Sequence, residues 1–200
     1  MKVKILFIVV CASFIFNGAL SAETLMVADF DTGGQPNNIG GNFGTWSINP
    51  DDKTQGCEMD ITRLSDVMGR ESYVLKIDYD VAAATPAFNG IWMELNNIDL
   101  TPYDEMSMLI KGDEGAGFTT QFKLELKNAK GERAIYIVKG ITNEWQKIVI
   151  PMEKIRMIES ITDWSKMTEL VFVFDDISVS YKQGTLYVDE IAFTSKGPVY

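Results

Sequence analysis

The chain has 200 residues, with 18 Lys and Arg against 28 Asp and Glu, a formal net charge of −10. Such an excess of acid repels phosphate backbones and anionic bilayers, which argues against nucleic acid and membrane surfaces as partners. There is no histidine, so Ser-His-Asp and Cys-His catalysis, His-ligated zinc and a histidine general base are excluded.

Lys2 and Lys4 precede an apolar run from Ile5 to Phe16 and a small-residue exit, Asn17-Gly-Ala-Leu-Ser-Ala22. That order predicts a secretory signal peptide over residues 1–22. The run is about a dozen residues, short for a bilayer span. The expectation is a secreted or periplasmic protein, not inserted in a membrane once the signal is removed. Without Lys2 and Lys4, 16 basic side chains face 28 acidic ones, a net of −12. Cys11 leaves with the signal, so Cys57 has no intramolecular partner. It reads as a small buried apolar residue rather than a reactive thiol. Residues 23–200 are predicted to form one domain.

The first strand runs from Leu25 to Phe30 and leads into Asp29-Phe-Asp31. Side chains at i and i+2 share a strand face, so Asp29 and Asp31 can point the same way. The pairs Gly33-Gly34 and Gly40-Gly41 lack a following helix and a Gly-Lys-Ser/Thr, so they read as turns and not as a phosphate loop. Residues 42–66 alternate poorly and read as a long loop holding one strand at most. Tyr73 to Val81 then alternates, with Tyr73, Leu75, Ile77 and Tyr79 on one face. Gly90 to Leu95 sets Ile91, Met93 and Leu95 against Trp92 and Glu94. Met106, Met108 and Ile110 form another inward series.

Phe118 to Lys127 sets Phe122, Leu124 and Leu126 against Gln121, Lys123 and Glu125. The turn Asn128-Ala-Lys-Gly131 connects it to Arg133–Lys139 as a hairpin. Trp145–Pro151, Leu170–Phe174 and Gly184–Phe193 complete nine or ten short strands. Only Met152 to Ser160 has helical character. Trp46, Trp145 and Trp164 read as framework. The pattern predicts an all-β fold, an antiparallel β-sandwich of jelly-roll type.

Asp189 lies in the last strand. If first and last strands meet, Asp29, Asp31 and Asp189 gather, as a hard cation such as calcium allows. Two ordinary strand ends with solvated acids are the plainer alternative.

The outward residues Trp92, Glu94, Gln121, Lys123 and Glu125 suit a shallow saccharide site. Pyranose C–H faces stack on aromatics, and planar polar groups pair with hydroxyls. Tyr136 joins the candidates, although its strand is apolar on both faces. A solvated sheet face is the alternative, above all for Lys123 and Glu125. Glu94 and Glu125 form the only attractive carboxylate couple for a glycoside hydrolase or lyase.

The ordered pieces Asp29-Phe-Asp31, Asn38-Ile-Gly-Gly41, Gly44-Thr-Trp46, Gly90-Ile-Trp92, Ile98-Asp-Leu-Thr-Pro-Tyr103, Ile110-Lys-Gly112, Trp145–Pro151 and Gly184–Ile191 run across the chain. Together they resemble the galactose-binding-like jelly-roll carbohydrate-binding modules, near the family-11 type, and the related complex I intermediate-associated domain. The resemblance implies a two-sheet sandwich with a structural calcium between the opening and closing strands. Its ligands would be Asp29 or Asp31 and Asp189, with Asn38 nearby. Asp31 stands where relatives often have Glu, and its shorter arm changes the reach.

The expected function is an exported, non-catalytic domain that binds a poly- or oligosaccharide on one sheet face. It would serve alone or beside a separate catalytic or surface protein. A structural or protein-interaction sandwich without a sugar site is the second reading. A carboxylate-only hydrolase or lyase is the third.

Overall fold

A computed structural model describes residues 22–65, 69–158 and 161–197. The predicted signal peptide, apart from Ala22, lies outside the described residues, as do the last two residues of the predicted helical stretch. Two antiparallel sheets face each other. One joins β3 (Gly56–Ser65), β4 (Glu71–Asp80), β11 (Gln183–Thr194), β6 (Glu105–Gly112) and β9 (Gln146–Pro151) in that order, with β1 (Thr24–Ala28) also on β11. The other joins β2 (Phe43–Ser47), β5 (Phe88–Ile98), β10 (Met167–Asp175), β7 (Gln121–Asn128) and β8 (Arg133–Lys139). The one helix among the described residues, α1 (Met152–Ile158), follows β9 directly and buries Met152 and Ile155. No described helix is long and apolar enough to cross a membrane.

Period-two alternation explains the core. Leu75, Ile77, Met106, Met108, Ile110, Leu186 and Val188 face inward from the six-stranded sheet, and Ile91, Met93, Leu95, Phe122, Leu124, Leu126 and Phe172 meet them from the other. Each such side chain contributes about 1.5–3 kcal/mol on burial. Tyr79 of β4 stacks on Phe174 of β10 across the layer, with centroids 4.3 Å apart, which ties the two sheets together.

The first and last strands meet, as expected. Leu25 pairs with Phe193, and the Ser195 amide donates to the Glu23 carbonyl at 2.9 Å. The expected long loop over residues 42–66 is a correction, because two strands, β2 and the ten-residue β3, occupy it. In β3, Cys57, Met59 and Ile61 do alternate with Glu58, Asp60 and Thr62. The signal is weak because β3 is an edge strand, paired only with β4, and its inward side chains are only partly buried. Cys57 packs against the core, and burial pushes its thiol far above its ordinary range.

Candidate functional site

Register fixes what the outward face of the five-stranded sheet presents. Gly44 lies opposite Trp92, and Trp46 opposite Gly90. Val171 lies between Trp92 and Glu125, and Val173 between Gly90 and Lys123. Glu125 faces Ile135, and Lys127 faces Arg133. Trp46, Phe88, Trp92, the two valines and these charged side chains line one groove of about 500 Å³. The central strand β10 is thus apolar on both faces, with Phe172 and Phe174 in the core and Val171 and Val173 as groove floor.

The aromatic end depends on two glycines. A Cβ at Gly44 would sit 3.0 Å from Trp92 Cζ2, so the indole lies down over the facing glycine. A Cβ at Gly90 would sit 3.3 Å from Trp46 Nε1 and 1.8 Å from the Phe172 carbonyl oxygen. Each indole therefore covers the glycine across the strand pair, a packing that stabilises glycine-weakened strands. Trp46 Nε1 is buried and has no hydrogen-bond partner among the described residues.

The other half is charged. Lys123 Nζ lies 2.9 Å from Asp175 Oδ2, Lys127 Nζ 3.1 Å from Glu169 Oε2, and Arg133 Nη1 3.8 Å from Glu125 Oε1. Asp175 is fully buried. Burial pushes its carboxyl up, but the Ser178 hydroxyl, the Lys123 ammonium and the Ser178 amide outweigh that and hold it below its ordinary range. The same carboxylate accepts from the Ile177 and Ser178 amides, so it braces the loop at the groove's end.

Of the predicted residues, Trp92, Lys123 and Glu125 line the groove. Glu94 shares the face, and its carboxylate accepts the Asn42 amide at 2.9 Å. Gln121 shares it at the other end, with its side-chain amide donating to the Ser178 carbonyl at 2.6 Å. Tyr136 is a correction. It lies opposite Leu124 and packs against the core, because the period-two pattern of β8 puts Ile135, not Tyr136, outward. Glu94 and Glu125 are separated by the intervening strand β10.

Trp46 is a second correction, a groove residue rather than framework. Its signal was the Gly44-Thr-Trp46 spacing, which matches Gly90-Ile-Trp92 in reverse. Trp145 and Trp164 stay framework. Trp145 Nε1 donates to the Ser65 carbonyl at 2.8 Å, and Trp164 packs against the core.

The predicted metal residues lie elsewhere, at the β1–β11 edge. Asp29, Asp31 and Asp189 border a cavity of about 190 Å³ together with Ser72, Arg70 and Glu190. Asp189 is nearly buried. Burial, then the nearby Glu190, Asp31 and Asp29, push its carboxyl up to about 7 against the Glu190 amide that lowers it. The donors are all hard oxygens, which suits calcium. Among the described residues, however, no three acids stand in a grouping that closes on an ion. Asp29 instead forms a closed pair with Asn38: its amide donates to Asn38 Oδ1 at 2.9 Å, and Asn38 Nδ2 donates to Asp29 Oδ2 at 2.7 Å. Asp31 Oδ1 accepts from Ser72 Oγ at 2.9 Å. Asn38 therefore orients Asp29, and its own side-chain oxygen is occupied.

Solved structures share this architecture. A family 11 carbohydrate-binding module from Clostridium thermocellum, in complex with a β-1,3-1,4-mixed-linked tetrasaccharide, is 17% identical with a TM-score of 0.59, over 86% of this chain and 95% of that one. The family 30 module of the cellulosomal cellulase Cel9D-Cel44B of the same organism is 18% identical with a TM-score of 0.57, over 87% and 98%. The CBM22-1 xylan-binding domain of Paenibacillus barcinonensis Xyn10C is 14% identical with a TM-score of 0.52, over 89% and 98%. At these identities the likeness establishes the fold. No curated protein matches the sequence. The model of the carbohydrate binding domain 30 family matches residues 36–195, and the chain belongs to that family.

Proposed function

We propose that this chain is an exported, non-catalytic carbohydrate-binding module that takes a poly- or oligosaccharide across the outward face of the five-stranded sheet. The observation that carries this reading is the pair of indoles packed against Gly44 and Gly90 at one end of an apolar-floored groove. Trp92 and Trp46 stack against sugar C–H faces. Glu125 accepts hydrogen bonds from hydroxyls, and Lys123 donates them. Glu94 and Gln121 set the two ends, because their side chains are already tied to Asn42 and Ser178.

A structural calcium belongs to the same reading. Asp29, Asp31 and Asp189 would hold it through oxygen, after Asp29 turns from Asn38. Its charge would offset the burial of Asp189 among like charges and pin the first strand to the last. The module acts beside a separate catalytic or surface protein.

Retention in affinity gels carrying β-glucans, xylans and other polysaccharides tests the assignment. Wild-type protein is expected to be retarded on at least one, and Trp92→Ala on none, with the protein still folded and Tm lowered only by the lost cover over Gly44. Equal retention of Trp92→Ala and wild type would sink the groove assignment. Release of reducing sugar by the purified protein would sink the non-catalytic one.

A further inference from the structure

We propose that the glycan this groove selects is anionic, and that its carboxylate or sulfate groups lie along the β7–β8 side. This rests on the groove reading above and deepens it. In each ion pair across the groove the acid lies deeper than the base. The side-chain exposures are 29% for Lys123 against 0% for Asp175, 35% for Lys127 against 30% for Glu169, and 61% for Arg133 against 11% for Glu125. Lys139 faces the same way on β8, opposite Gln121, is exposed, and has no ion pair among the described residues. The carboxylates thus anchor the cations from below, and the cations form the surface a ligand meets.

The groups that remain available set the chemistry. An ammonium bonded to one carboxylate keeps further N–H donors, and a guanidinium keeps several in a planar fork that matches a carboxylate or sulfate. Neither accepts a hydrogen bond, so these positions favour acceptor-rich, negatively charged substituents. On the opposite sheet the order is mixed: in Lys76–Asp78 the acid is the more exposed, 42% against 35%, and in Lys196–Glu105 the base is, 57% against 28%. Glu58, Asp60 and Asp80 are neighbours on β3 and β4. The bases Lys123, Lys127, Arg133 and Lys139 are matched in number by Asp175, Glu169, Glu125 and Glu94, so it is the outward position of the cations, not a net positive charge, that presents them to a ligand. The valine floor and the two indoles at the far end hold the sugar rings, so the charge reads substituents while the aromatics read the backbone of the glycan.

Calorimetric titration with three probes of one backbone tests this: mixed-linkage β-glucan, the same glucan oxidised at C6 to glucuronate, and its sulfated form. At low salt an anionic form is expected to bind on the order of tenfold more tightly than the neutral parent. That advantage should shrink at high salt as the charges are screened. A gain confined to the oxidised form identifies carboxylate as the substituent, and a gain confined to the sulfated form identifies sulfate. The double variant Lys127→Gln/Arg133→Gln is expected to lose most of the advantage. Equal affinity for all three probes at every salt concentration, or an advantage untouched by the double variant, would overturn the proposal and leave carbohydrate binding standing. An anionic advantage that persists in full in Trp92→Ala would also overturn it, since diffuse charge attraction would then suffice. Failure of all three probes, together with equal affinity-gel behaviour of Trp92→Ala and wild type, would overturn the groove reading itself.

Discussion

The indole of Trp92 lies over Gly44 on the neighbouring strand, with Cζ2 only 3.0 Å from the point where a Cβ would begin. Gly90 has a different constraint, since a Cβ there would reach 1.8 Å from the Phe172 carbonyl oxygen. The two positions should therefore separate binding from stability. Gly90→Ala forces β5 and β10 apart and is expected to cost about 3 kcal/mol or more, in the range of severe core strain. Gly44→Ala meets only a movable indole side chain and is expected to cost about 1 kcal/mol, while tilting Trp92 and weakening glycan retention. Urea unfolding and affinity electrophoresis of both variants check the contrast. Equal stability losses would show that Gly44 is as constrained as Gly90.

Asp175 is expected to govern acid stability. Its folded carboxyl sits below its ordinary range, so its contribution is present above the unfolded value near 4 and is lost as pH falls through the folded one. Asp175→Asn leaves the Lys123 ammonium without its carboxylate and loosens residues 176–178. A loss of about 2–4 kcal/mol at neutral pH is expected. The variant should also show a flatter fall in Tm between about pH 5 and 2 than wild type. Parallel pH curves would assign the acid sensitivity to other carboxylates.

Calcium should raise Tm at neutral pH, and a chelator should lower it. Asp189→Asn is expected to abolish that response. In chelator the variant should be at least as stable as wild type, because it removes a buried charge placed near Asp29 and Asp31. Thermal scans with and without calcium decide this, and an unchanged Tm in chelator removes the metal.

Arg156 should matter to the fold alone. Its Nη2 donates to the Leu100 carbonyl at 2.8 Å and the Tyr103 carbonyl at 3.1 Å, and its guanidinium lies 5.4 Å from the Trp164 ring centroid. Arg156→Met is expected to cost about 2 kcal/mol, because those carbonyls lose a charged donor. Arg156→Lys should recover only part, since an ammonium cannot fan across both carbonyls and the ring. Glycan retention should be unchanged. Full rescue by lysine in urea unfolding would reduce the contact to simple charge.

Most of the architecture was legible because alternation reports a half-buried strand directly. Tyr73–Val81 and Phe118–Lys127 show one apolar and one polar face, and the strands Glu71–Asp80 and Gln121–Asn128 carry those faces. Edge position hid β3, and a central position with an apolar groove floor blurred β10. In the groove, Trp92, Lys123 and Glu125 were readable because each is the outward member of a clean alternation. Trp46 was not, since its strand is five residues long and its role appears only once Gly90 is seen opposite it. Tyr136 failed for the converse reason: β8 is apolar on both faces, and only the register with Leu124 settles its direction. Arg133, Lys127 and Glu169 come together through pairings that no local pattern encodes.

The bond between Glu23 and Ser195 brings the two ends of the sandwich to one corner, on the sheet that does not carry the groove. A pull applied at Glu23 and Ser195 would therefore load β1 and β11 against each other and leave the strands that carry the tryptophans out of the line of force.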